Sequence, residues 1–326
     1  MELKVEKTFK LEEAVCNHGF FMMAPNTWIS GTKTLVRPLR LPDNNSIIVS
    51  ITQHFPTFIS VSVQDQDRLI LLSEQQYILD QVKRMLRLCD EEEEAIKSFH
   101  RLHTDASKKG FGRLFRNPTL FEDVVKSMLL CGCRFKDSLE MAEKLCRVNP
   151  KRKRGRRAGK EWQWNFPNAE EVSGFDRNKL KKMLGYRGDN ILDLAVDVTT
   201  GKINLDSYSR YMNGDDLYKE LIKIKGIGDF VSCNILMCIG FYHRIPVDSE
   251  TLRHMLQIHR RRCVDKNKNA LIKDIYDKYA PFQTLSYWFE ILEYYETKLG
   301  KLSLLEKGDY KKVSGSFIDR SNSVEI

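Results

Sequence analysis

The chemistry most directly readable in this chain sits in a pair of glycines and one acid. Lys225, Gly226, Ile227 and Gly228 join two stretches of helical periodicity, and an isolated carboxylate, Asp248, follows Pro246 and Val247. Leu217, Leu221, Ile222 and Ile224 recur at helical spacing before the glycines, and Val231, Ile235, Leu236 and Ile239 do so after them. Asp229 stands where a helix N-cap is expected. The pattern predicts helix, tight turn, helix. Glycine permits positive φ and close approach of a second backbone. A turn that ends on a helix N-terminus presents free N–H groups at the positive end of the helix dipole, which is a seat for a phosphate oxygen. No side chain of such a turn reaches a base edge, so its grip would ignore sequence. A rival reading makes 223–231 a strand and glycine-rich turn of a dinucleotide fold, with Asp248 as the acid about 20 positions on. Val231 in place of the third glycine, and Pro246 within the would-be second strand, speak against it.

The stretch LIKIKGIG followed by IPVDSE resembles the helix-hairpin-helix, Gly/Pro–Asp (HhH-GPD) DNA glycosylases of base excision repair, in particular plant-type relatives of the alkyladenine and oxoguanine branches. The NHGFF run at 17–21 and the following PNTW add to that resemblance, which covers most of the chain. It implies an α+β fold in which an N-terminal antiparallel sheet domain precedes a mostly helical glycosylase domain in two helical subdomains. The partner it implies is double-stranded DNA carrying a damaged base. No cofactor and no metal are expected, and the implied protein is a monomer located in the nucleus.

The same resemblance distributes roles. Asp248 is the catalytic carboxylate: cleavage of a glycosidic bond passes through an oxocarbenium-like sugar whose positive charge a nearby carboxylate stabilises. Its place at a helix start favours the ionised form. From the residues alone, a plain cap for 249–258 is an equally open reading. Lys225, Gly226, Ile227 and Gly228 would hold a phosphate, and Arg253 would add positive charge nearby. Bifunctional relatives carry a nucleophilic lysine two residues after the second glycine; here Phe230 stands there, which implies hydrolysis by water without strand cleavage. Phe230, Tyr287 and Trp288 would line the base pocket, where a cationic alkylated purine stacks well on aromatic rings. Tyr186 and Arg187, in an LGYR segment, would contact the strand opposite the lesion. The usual Gln or Asn that fills the gap left by the extruded base is missing from 131–135. Arg134 or Phe135 could take that role, or the segment is a simple helix–helix turn. A helix-hairpin-helix DNA-binding protein without catalysis is the alternative function.

The rest of the chain supplies the elements that must position these residues. It has 326 residues, enough for one large or two ordinary domains. There are 53 Lys and Arg against 44 Asp and Glu, a net charge of +9, which favours an anionic partner. Its eight cysteines are scattered without zinc spacing and without a four-cysteine iron–sulfur loop, and reduced thiols are expected. Cys131 and Cys133 read as part of an apolar helical run. No apolar run is long enough for a membrane span. Residues 34–41, 46–52 and 57–63 alternate as strands, giving an antiparallel sheet of three or four strands with one buried face. From residue 74 the pattern turns helical: 75–88, 95–102 after an acidic cap region at 90–94, 118–130, 138–146, 191–198, 251–258 and the aromatic-rich 280–295. Three parts are expected: 1–105 with the sheet, 106–308 with the glycosylase helices, and a polar, disordered tail at 309–326. The basic run 151–157 suits a nuclear import signal, an added phosphate contact or a solvated loop. His18 reads as structural, since nothing adjacent completes an acid–base pair.

Overall fold

Five strands form one antiparallel sheet: β1 (Glu2–Lys4), β2 (Thr27–Ile29), β3 (Thr34–Arg40), β4 (Ser46–Phe55) and β5 (Phe58–Val63), in the order β1-β5-β4-β3-β2. The computed structural model describes residues 1–64, 69–148, 164–264, 266–315 and 317–318. The basic run at 151–157 lies outside them. Ile47, Val49 and Ile51 of β4 and Ile59 and Val61 of β5 are buried, as strand alternation requires. The sheet has two more strands than the alternating runs indicate, because β1 and β2 hold three residues each.

Helices follow: α1 (Leu11–Val15), α2 (Leu72–Leu86), α3 (Asp90–Leu102), α4 (Thr104–Lys108), α5 (Leu120–Leu130), α6 (Phe135–Arg147), α7 (Ala169–Ser173), α8 (Arg177–Leu184) and α9 (Tyr186–Thr199). Then come α10 (Gly214–Leu221), α11 (Asp229–Ile239), α12 (Ser249–Gln257), α13 (Lys268–Tyr276) and α14 (Gln283–Leu299). No described helix is long and apolar enough to cross a membrane. The acidic residues expected as a cap region before 95–102 are instead the first turn of α3, where they face the positive end of the helix dipole. Cys131 and Cys133 lie in the turn after α5 and not within a helix; the eight cysteines are free thiols.

α11 is the central helix. Val231 to Cys238 are all buried, so it is enclosed on every side, and it packs against α5. Its C-terminal turn is pinned by a buried charge group: Arg87 Nη2 donates to the Met237 carbonyl at 2.7 Å, Arg87 pairs with Glu92 at 2.7 Å, and the Tyr242 hydroxyl donates to Glu92 at 3.1 Å. A second group joins sheet to helix. Arg37 of β3, 0% exposed, pairs with Glu122 of α5 at 3.0 Å, and Lys126, also fully buried, pairs with Glu122 at 2.8 Å. The apolar core runs unbroken from Leu3 of the sheet through the helices to Ile318.

That last contact departs from the disordered tail expected at 309–326. Lys307–Lys312 forms a short 3-10 helix; Tyr310, Val313 and Ile318 are buried, and the Tyr310 ring meets Phe21 edge-on at 5.6 Å. Composition misses this because a few apolar residues in a polar stretch suffice to dock a segment onto an existing core. Residues 319–326 lie outside the described ones.

Candidate active site and nucleic-acid interface

α10 ends at Leu221, and the Ile227 amide donates to the Ile224 carbonyl at 3.0 Å, closing the hairpin. Gly226 adopts φ +85°, and a Cβ there would come within 2.6 Å of the Asn190 side chain, so both freedom of φ and close approach are used. Gly228 is the N-cap of α11, displacing Asp229 by one position from the expected cap; Asp229 instead accepts a hydrogen bond from the Tyr218 hydroxyl at 2.9 Å. Gly226 and Gly228 are both exposed, and a Cβ at Gly228 would meet nothing within 4 Å. The free amides of the first turn of α11 therefore open toward solvent. Lys225 is exposed and pairs with Asp193 at 2.8 Å.

A groove of about 440 Å³ runs along this hairpin, bordered also by Cys131, Tyr186 and Asn190. Tyr186 is 58% exposed on its rim. Arg187, expected to contact DNA with it, is turned inward: it is buried, it donates to the Cys131 carbonyl, and its guanidinium lies 4.6 Å from the Tyr186 ring centre. It braces the turn after α5.

On the far side of that turn lies a cavity of about 390 Å³ containing Asp248. Cys131 borders the groove and Cys133 and Arg134 border the cavity, so the turn separates the two. Arg134 is exposed and forms a forked pair with Asp137 at 3.0 Å; Phe135 faces inward, near Gly19. Of the two residues considered for filling a gap in DNA, Arg134 is the one pointing outward.

Asp248 is both a cap and a cavity carboxylate. Its Oδ1 accepts from the Thr251 amide at 3.0 Å and the Thr251 hydroxyl at 3.2 Å, and the Asp248 amide donates to Thr251 Oγ1 at 3.2 Å, a reciprocal capping box. The Tyr287 hydroxyl lies 2.8 Å from Thr251 Oγ1, extending the chain of bonds to a buried phenol. Asp248 is open to water through the cavity mouth, yet protein crowds its carboxyl on most sides. That burial raises its pKa, and the Thr251 hydrogen bonds oppose the rise without cancelling it. Desolvation thus works against the ionisation that the helix start favours. Sequence reasoning passed over Thr251, although the D-x-x-T spacing carries the signal.

Phe230 and Trp288 line the same cavity, as does Tyr287 with most of its ring buried. His18 also joins the wall: its ring meets Trp288 at 4.7 Å, and burial, with Arg87 nearby, lowers its pKa to about 3. It is neutral at physiological pH. Arg253, expected to meet DNA, is held inside. It pairs with Glu250, donating to it through Nε at 2.9 Å, and stacks 4.4 Å from the Tyr294 ring centre. Among the described residues lining this cavity there is no lysine.

Behind α12, His254 and His259 each place Nε2 within 2.9 and 2.8 Å of Glu290 Oε2, and the Tyr276 hydroxyl donates to the same oxygen at 2.6 Å. The ligand atoms of the two histidines and Glu290 lie within 4.8 Å of one another, a spacing compatible with a metal ion. Hydrogen bonding accounts for the arrangement as it stands.

The fold has close counterparts. A 3-methyladenine DNA glycosylase from Archaeoglobus fulgidus superposes with a TM-score of 0.68 over 92% of this chain and 99% of its own, at 15% identity. The fold is that of the helix-hairpin-helix DNA glycosylases. The 8-oxoguanine glycosylase/lyase of Clostridium acetobutylicum shares this glycosylase fold, with a TM-score of 0.57 over 84% of this chain and 92% of that one at 17% identity. In sequence, 118 residues are 29% identical to a DNA-3-methyladenine glycosylase of Bacillus subtilis (strain 168), covering 35% of this chain and only 38% of that relative's length. No family model matches the chain.

Proposed function

We propose that the chain is a monofunctional DNA N-glycosylase that extrudes a damaged base from duplex DNA and hydrolyses its glycosidic bond. The observation that carries this reading is Asp248 at the mouth of an aromatic-walled cavity, one turn of chain away from an exposed glycine hairpin at a helix N-terminus. The hairpin amides and Lys225 hold a backbone phosphate, Arg134 and Tyr186 enter the duplex, and the extruded base stacks against Phe230 and Trp288. As the base departs with the bonding electrons, Asp248 stabilises the positive sugar and takes a proton from the water that adds to it. With Phe230 where a nucleophilic lysine would stand, and no lysine among the described cavity residues, the product is an intact strand with an abasic site. The fold partner from C. acetobutylicum was solved in complex with duplex DNA containing cytosine opposite 8-oxoguanine, which supports a duplex partner here. Alkylated purines are the first lesions to test, because the cavity walls are aromatic. We place the protein in the nucleus as a monomer.

The test is a panel of duplexes bearing single lesions. Wild-type protein should release one class of base and leave a strand that breaks only after heat or alkali. Asp248→Asn should lower release by on the order of 100-fold or more while binding to an abasic duplex persists. Nicking without treatment would overturn the monofunctional assignment. Binding with no release from any lesion, indifferent to Asp248→Asn, would instead establish a non-catalytic DNA-binding module.

A further inference from the structure

We propose that the segment following α14 is a wall of the base cavity, with Val313 the residue that limits the size of base admitted. Leu302, Val313 and Ser314 line the cavity that holds Asp248, as do Asn17, His18, Gly19 and Met22. Val313 is buried, and it brings a branched, conformationally stiff side chain to the boundary.

The wall is anchored at both ends. Near Leu302, the Trp28 indole donates to the Ser303 carbonyl at 2.8 Å, and the Ser303 hydroxyl bonds Glu12. Beyond Val313, the Gly315 amide donates to Glu250 Oε2 at 3.1 Å, while a Cβ at Gly315 would fall 1.7 Å from Arg253 Nε. The segment therefore seats itself against the Glu250–Arg253 pair, where a side chain at position 315 would have to displace Arg253. Glu250 lies two residues from Asp248 on the same first turn of α12. Glu250 thereby ties the wall to the helix start that Asp248 caps.

The inference rests on the glycosylase reading, and its test separates the two. Single-turnover release is measured from each lesion that the wild-type protein accepts. Val313→Phe narrows the cavity and should slow release of the largest accepted base by about tenfold or more relative to the smallest, the scale on which a pocket discriminates single carbon groups. Val313→Ala should shift the preference toward the larger base. Gly315→Ala should loosen the same wall and move preference as Val313→Ala does, and the exposed Lys311→Ala should move nothing. Circular dichroism and abasic-duplex affinity establish that each variant folds and binds. Unchanged relative rates in folded Val313 variants that still release base overturn the wall assignment alone. Absence of release from every lesion by the wild-type protein overturns the glycosylase reading beneath it.

Discussion

Asp248 shows how one residue can satisfy two demands that sequence presents as alternatives. Capping α12 fixes its position through Oδ1, and the same carboxylate lines the aromatic-walled cavity in which the proposed reaction would place a sugar. Because burial raises its pKa, the acid limb of base release should fall at higher pH than an ordinary aspartate would give. Thr251→Val removes a hydroxyl that donates to the charged form, so the limb should move to still higher pH; a limb that stays put in a pH–rate series would detach Thr251 from the chemistry. Glu290 carries the opposite sign. Burial alone would raise its pKa, but hydrogen bonds from His254, His259 and Tyr276 hold it at about 2. Its ionised form stabilises the fold above the ordinary carboxylate range, and that contribution disappears as pH falls from about 4.5 toward 2. Urea unfolding across this range should show the gap between wild type and Glu290→Gln closing as pH drops. At this scale the acid and the hairpin were legible, because their types and spacing are local. His18 and Val313 were not, since each acquires its role from chain far away; Thr251 carried a local signal in its spacing from Asp248.

The elements explain which contacts the sequence could and could not announce. Helical periodicity locates α5, α11 and α14, whose apolar faces repeat over many residues. β1 and β2 are too short to show alternation, and only pairing with β5 and β3 defines them. Arg187 reads as a DNA contact from the LGYR resemblance and Arg253 from the basic surroundings of its helix; the fold gives both inward partners, Arg187 bracing the turn after α5 while bordering the hairpin groove and Arg253 bracing the start of α12. The hairpin gives a sharper prediction, because its glycines differ. Gly226→Ala forces a side chain into Asn190 at positive φ and should lower both thermal stability and DNA affinity. Gly228 has φ −95° and open space, so Gly228→Ala should leave thermal stability unchanged while weakening binding to damaged and undamaged duplexes alike. Melting curves and fluorescence anisotropy distinguish these outcomes; a Gly228→Ala protein that binds normally would remove the hairpin from the interface.

For the molecule as a whole, net charge and buried charge act on different observables. The excess of Lys and Arg predicts that log affinity for duplex DNA falls linearly with log salt, with a slope set by the number of phosphates neutralised. The Arg37–Glu122–Lys126 group ties sheet to helices. Glu122→Gln leaves two fully buried cations without their carboxylate and should cost about 3–5 kcal/mol of stability in denaturant titrations. A loss under 1 kcal/mol would mean that the two layers are held by apolar packing alone. The indole of β2 bonded to a carbonyl 275 positions later has a temporal consequence. A polypeptide emerging from the ribosome cannot close the cavity around Asp248 until residues 302–314 arrive, so nascent chains shorter than this should expose apolar walls to chaperones and lack any base release that the full cavity supports.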